Sequence, residues 1–223
     1  MNISNNKENK ENNSINSYVI NIAILGDPKS GKTSLIECFL KENIEEKNNE
    51  TVLNIYQSKI SEQNFNLDLN YFDISGYYDR DKDLIVDYIK HANIIILCHS
   101  FENEFNEEKI CFWLEQIQKK AESGRNYIYL VGCKYDIKVM LDYQKGLNTT
   151  TIMFPNGNLA SFGERIKIFI NNNLIREYFI VSSLLNFNVK EMFHSAIKDY
   201  LYDKTLELNK KGNIKENQNC LIF

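Results

Sequence analysis

The sequence predicts an α/β protein: a six-stranded, mostly parallel, doubly wound sheet with helices on both faces. Three observations carry this expectation. Nearly continuous apolar runs recur along the chain, as in strands buried on both faces, and segments of helical spacing alternate with them. The resulting order, β-α-β-β-α-β-α-β-α-β-α, is that of an α/β sheet. With 223 residues, 43 % of them hydrophobic, the chain can bury a substantial core as one globular unit.

The first strand is Tyr18 to Leu25 (YVINIAIL), closed by a glycine, and Thr33 to Leu40 follows as a helix. Val52 to Ile60 and Phe65 to Ile74 alternate like strands on either side of Ser-Glu-Gln-Asn, which predicts an antiparallel hairpin. Asn93 to Cys98 and Tyr127 to Val131 are further buried strands. Between them, Asn106 to Ser123 carries Ile110, Trp113, Leu114 and Ile117 at helical spacing. Tyr178 to Val181 makes the sixth strand, and Val189, Met192, Phe193, Ala196, Ile197, Tyr200 and Leu201 trace a last amphipathic helix. The domain therefore spans 18–203. Residues 1–17, rich in Asn, Lys, Glu and Ser, read as a disordered extension, and 204–223 as a flexible tail. A long connection over 137–173 is broken by Pro155-Asn156-Gly157-Asn158 and carries an expected helix at 159–171.

Composition excludes several classes of function. The net charge is −4 with basic residues scattered, so nucleic acid is not the expected partner. The N-terminus has no apolar signal core and no run of eighteen apolar residues could cross a bilayer, which places the chain in the cytoplasm or on its membranes. Asn2 stands where N-myristoylation requires glycine. The five cysteines lack C-x-x-C spacing, so Cys38, Cys98, Cys111 and Cys133 read as reduced thiols. His91, His99 and His194 are isolated and read as structural or surface residues, and Trp113 as core.

Three motifs carry chemistry. Gly26-Asp27-Pro28-Lys29-Ser30-Gly31-Lys32-Thr33-Ser34 follows a buried strand and opens a helix, the context of a phosphate-binding loop. N–H groups around Lys29 to Ser34 form a nest, Lys32 reaches the β/γ-phosphates, and the Thr33 hydroxyl is a Mg²⁺ ligand. Asp27, a carboxylate beside an anion, is expected to point outward. Asp73-Ile74-Ser75-Gly76 ends the third strand, where Asp73 can hold the metal through water and the Gly76 N–H can meet a γ-phosphate. Cys133-Lys134-Tyr135-Asp136 follows the fifth strand. There the Asp136 carboxylate can accept from the ring N–H and 2-amino group of guanine while the Lys134 stem covers the base. Adenine offers no such pair of donors, so Asp136 argues against the alternative of an ATP-using protein.

The blocks GDPKSGKT, DISG, CKYD and VSSL, in this order, resemble the small GTPases of the Ras superfamily, and the chain most resembles the Rho family. Glu50 to Tyr56 (ETVLNIY) is similar to the Rho effector loop, and Leu130 to Lys134 to its guanine motif. The 137–173 connection sits where Rho proteins carry a helical insert. The resemblance covers about residues 18–203. It implies the P-loop GTPase fold and a GTP/GDP switch with Mg²⁺ in cytoskeletal or signalling control, acting as a monomer. It further implies effectors contacting residues near 43–56 and 75–90, exchange factors, activating proteins and a prenyl-binding chaperone. Thr51 would be the switch threonine that ligates Mg²⁺, and Ser182 and Ser183 the base-supporting loop. Two positions depart in ways that touch hydrolysis: Tyr77 stands where the family has a water-orienting glutamine, and Pro28 where it has glycine beside the γ-phosphate. Cys133 replaces an asparagine that links the guanine motif to the phosphate loop. The chain ends Cys220-Leu221-Ile222-Phe223, a C-a-a-X pattern that predicts geranylgeranylation of Cys220 and reversible membrane attachment.

Overall fold

The computed structural model describes residues 16–40, 47–49, 53–61, 65–120, 127–144 and 159–210. The first half of the chain forms β1 (Asn16–Gly26), α1 (Lys32–Phe39), β2 (Lys47–Asn49), β3 (Leu53–Ser61), β4 (Phe65–Ile74) and α2 (Tyr78–His91). The second half forms β5 (Ile94–Ser100), α3 (Glu107–Lys120), β6 (Tyr127–Cys133), α4 (Tyr135–Gln144), α5 (Leu159–Asn171), β7 (Glu177–Ile180) and α6 (Val189–Lys210). They build one sheet in the order β2-β3-β4-β1-β5-β6-β7. β1 pairs in parallel with β4 and β5, and β5-β6-β7 continue in parallel, while β3 runs antiparallel to both β2 and β4.

The apolar runs are explained by two-sided burial. In β1, Ile20, Ile22 and Ile24 point into one core with Leu35 and Ile36 of α1 and Val189, Met192, Phe193 and Ile197 of α6. The alternate residues Ala23 and Leu25 point into the other core, with Ile85 and Ile89 of α2, Trp113 and Ile117 of α3, and Ile166 and Phe169 of α5. Parallel pairing brings the carboxyl ends of β1, β4, β5 and β6 to one edge, since Gly26 lies beside Cys98, Ile24 beside Asp73, and Ser100 beside Cys133. The three predicted motifs therefore converge.

The six predicted strands and the helix at 159–171 are present, with four differences. Asn16 and Ser17, assigned to the extension, lengthen β1 by pairing with Phe65 and Asn66. A seventh strand, β2, adds three polar residues to the sheet edge by pairing with β3. Tyr135–Gln144, which takes in the end of the CKYD motif and the start of the 137–173 connection, is helix α4. The last helix continues to Lys210 through residues assigned to the tail. Thr51, Val52, residues 155–158 and Cys220 lie outside the described residues. Among those described, no helix is long and apolar enough to cross a membrane.

Candidate nucleotide site

The loop after β1 is shaped by what its residues lack. Gly26 has φ +130°, and a Cβ there would lie 2.1 Å from the Cys98 carbonyl oxygen. Gly31 has φ +105°, and a Cβ there would sit 3.0 Å from Cys133 Cβ. Lys29 adopts a left-handed φ of 63°. Between these points the chain folds back, Ser30 N–H donating to the Asp27 carbonyl at 3.2 Å, and α1 begins with no side chain capping its first turn. Free N–H groups at a helix start, next to a turned loop, are suited to an anion.

Lys32 is only 7 % exposed. Its ammonium donates to the carbonyls of Gly26 at 3.0 Å and Asp27 at 2.9 Å, and burial pulls its pKa below the usual lysine value. One residue on, Thr33 Oγ1 donates to Asp73 Oδ2 at 2.5 Å, and Asn54 Nδ2 reaches the same oxygen at 3.4 Å. Burial raises the Asp73 pKa, so its charged form is undercompensated where it stands. A hydroxyl and a carboxylate held together are hard oxygen donors, and they fit Mg²⁺. Asn54 was not identified from the motifs, although the β3–β4 register places it opposite Asp73.

The D-x-x-G segment lies directly on the loop. A Cβ on Gly76 would come within 2.2 Å of the Pro28 nitrogen and 2.6 Å of the Gly26 carbonyl oxygen. Next to it Tyr77 is 53 % exposed, with the Arg80 guanidinium 4.7 Å from its ring centroid. Arg80 also donates to Asp81 and to Ser75 Oγ, and Ser75 Oγ donates to Asp81. These bonds, that from Arg80 first, hold the Asp81 carboxyl below the usual range.

Asp27 directs its carboxylate to α3, with 36 % of the side chain still exposed. Its carboxylate accepts from Lys109 Nζ at 2.5 Å and Trp113 Nε1 at 3.3 Å. Trp113 is core, as expected, and its indole nitrogen has this second task.

At the end of β6, Lys134 has φ 62° and donates to Glu102 Oε2 at 2.5 Å. Asp136 Oδ1 accepts from Ser182 Oγ at 2.6 Å, and Ser182 Oγ accepts in turn from the Leu185 N–H at 3.2 Å. Ser182 is fully buried, its backbone closed onto Phe187, while the Ser183 carbonyl accepts from the Cys38 thiol at 3.4 Å. Cys133 forgoes an asparagine's polar link, and its Cβ stands where it would crowd a Cβ on residue 31. Below this edge, His99 shares a hydrogen bond with the Tyr178 hydroxyl at 3.1 Å and is ringed by Phe101 and Phe105. Burial lowers its pKa to about 4, so it is a neutral structural residue at physiological pH.

The structure thus brings Gly26 to Ser34, Asp73 and Gly76 into one site, and Lys134, Asp136 and Ser182 to its neighbouring edge. A model of the Ras family matches residues 21–202. The chain belongs to the Ras family of small GTPases. Rho-related protein racL of Dictyostelium discoideum is 27 % identical over 92 % of this chain and 98 % of its own length, and racI of the same organism 24 % over 91 % and 97 %. Ras-related protein Rab-28 of Caenorhabditis elegans is 28 % identical over 66 % of this chain, which spans 62 % of that relative. The Rho-related proteins align along nearly the whole chain. As a member of this family of GTPases it is a GTP-binding switch whose reaction is hydrolysis of GTP to GDP and phosphate.

Proposed function

We propose that this Ras-family chain is a Rho-type switch that binds GTP and GDP tightly, hydrolyses GTP slowly and recruits effectors at membranes through a lipid on Cys220. The buried Lys32, anchored on two loop carbonyls beside the Thr33–Asp73 contact, is the observation that supports tight binding. In this reading backbone N–H groups from Lys29 to Ser34 hold the phosphates and Lys32 lies against the β/γ oxygens. Thr33 and Asp73, with Thr51, would hold Mg²⁺, which when bound neutralises charge on the phosphates. Asp136, oriented by the Ser182 hydroxyl, accepts from guanine; Lys134 covers the base, and Ser183 offers its N–H to the guanine carbonyl.

Slow hydrolysis rests on Tyr77 and Pro28. A phenol cannot present the paired donor and acceptor of an amide to an attacking water, and the Tyr77 ring is engaged by Arg80 at the surface. The proline ring at 28 lies at the same corner, where a Cβ on residue 76 would meet its nitrogen. That combination also favours a second reading, a GTP-locked docking protein that does not turn over.

Single-turnover hydrolysis of bound GTP, with and without an activating protein, tests the pair. A slow but measurable rate supports the switch, and a rate raised by Tyr77→Gln with Pro28→Gly supports the attribution. No turnover in either condition leaves the locked reading, and preference for ATP over GTP in competition overturns both. Intact mass of the cell-derived protein tests Cys220: an unmodified Phe223 end contradicts the anchor.

A further inference from the structure

Asp27 is held at both ends. Its carbonyl accepts from Lys32 Nζ at 2.9 Å and from the Ser30 N–H at 3.2 Å, while its carboxylate accepts from Lys109 Nζ at 2.5 Å and Trp113 Nε1 at 3.3 Å. Lys109 and Trp113 are four residues apart and therefore share one face of α3. Between that face and the loop lies a cavity of about 340 Å³ whose walls include Asp27, Pro28, Ser30, Ile110 and Trp113. The Ser30 hydroxyl is buried in it with no hydrogen-bond partner among the described residues. At this point two hydrogen bonds to the Asp27 carboxylate bridge the loop to the helix across the cavity. Pro28 further confines Asp27 to extended backbone, which couples the direction of its side chain to that of its carbonyl.

We infer that Lys109 and Trp113 are positioning residues for the nucleotide site: by capturing the Asp27 carboxylate they turn its charge from the phosphates and fix the carbonyl that orients Lys32. The inference rests on the GTP-binding reading above. The Asp27 charge is felt at Lys32, where it favours the ammonium form. Released from Lys109, the same carboxylate would be free to compete with the phosphates for Lys32 and to repel them. The clamp therefore acts through charge, which Lys109 supplies, and through geometry, to which the Trp113 N–H contributes.

The test is release of a fluorescent GDP and GTP from the full chain in Mg²⁺. Lys109→Met, which keeps the stem and removes the charge, is expected to speed release about three- to fivefold, the scale of an exposed ion pair. It should speed GTP release more than GDP release, because Lys32 reaches the γ-phosphate as well as the β. Lys109→Arg should restore the wild-type rate to within about twofold, and Trp113→Phe should have a smaller effect in the same direction as Lys109→Met. The double variant Asp27→Asn with Lys109→Met should release no faster than Asp27→Asn alone, since each removes the same contact. Lys109 is exposed, so its variants test the contact without disturbing the core, whereas Trp113→Phe also alters a buried residue. Wild-type release from Lys109→Met, or effects that multiply in the double variant, would overturn the clamp while leaving GTP binding intact. A wild-type chain that holds no guanine nucleotide would overturn both.

Discussion

The phosphate loop and the guanine motif occupy neighbouring strand ends, yet one is fixed by backbone and the other by side chains. Around the phosphate loop, three glycines stand where a Cβ would collide, with the Cys98 carbonyl, the Pro28 nitrogen or Cys133, and Lys32 is buried on two carbonyls. At the guanine motif, Lys134 leans on Glu102 near the surface and Asp136 on the buried Ser182 hydroxyl, both contacts between side chains. The difference teaches where each kind of change is felt. Alterations of the first region act through the fold, whereas alterations of the second act on recognition and leave the fold standing.

The strongest challenge to that contrast is Gly26→Ala. The added methyl group meets a backbone oxygen at 2.1 Å and must also accept φ +130°, so neither a rotamer change nor a small shift relieves it. The expected loss is about 3 kcal/mol or more in chemical denaturation, together with loss of nucleotide. A variant of wild-type stability would show that the loop is softer than its contacts indicate.

Next in size is the pH response of the support beneath both regions. His99 has a folded pKa of about 4 against 6.5 in the open chain, so the unfolded state takes up the proton first as pH falls. Its contribution is complete above pH 6.5 and declines as pH drops toward 4. Between pH 7 and 4.5 this removes about 2 to 3 kcal/mol. Denaturation midpoints of the wild type and His99→Phe isolate the effect from that of the carboxylates. Equal pH dependence in the two proteins would refute the assignment.

Asp136→Asn probes the other side of the comparison. It should retain wild-type stability and lose GTP affinity by about 30- to 100-fold, the scale of charge-assisted hydrogen bonds to a buried base edge. Competition between GTP and ATP reads the outcome directly. If the variant unfolds instead, the Ser182 contact has a larger structural share than its position at the strand ends indicates.

Sequence made the strands and motifs legible because their signals are local: two-sided burial leaves unbroken apolar runs such as Ile20 to Leu25, and phosphate chemistry leaves fixed spacing. It was less informative where position depends on a distant partner. β2 is three polar residues that become a strand only against β3. α4 leaves Met140 and Leu141 exposed and so lacks a clear apolar stripe. Asp27 finds Lys109 and Trp113 across more than eighty residues, and Lys134 finds Glu102 across thirty-two. Each of these contacts joins two loops or helices whose spacing the sheet sets, and neither member carries a pattern of its own.

The smallest predicted effect falls on that last pair. Lys134 Nζ and Glu102 Oε2 are 2.5 Å apart, and the hydrogen bond from the lysine holds the Glu102 carboxyl below its usual pKa. The bond is therefore present above the ordinary carboxylate range and is lost only as pH falls through the lowered value. Both groups are solvent-accessible, Glu102 the more so, and exposed pairs couple weakly and are screened by salt. Backbone already places Lys134, through the left-handed turn at the end of β6 and the Tyr135 N–H donated to the Val181 carbonyl. Glu102→Gln should consequently change GDP release by no more than about threefold at low salt, and by nothing measurable near 1 M salt, where the screening length falls to about 3 Å. A large, salt-insensitive change would mean that Glu102 sets the lysine's position, and the guanine side would then be as rigidly determined as the phosphate loop.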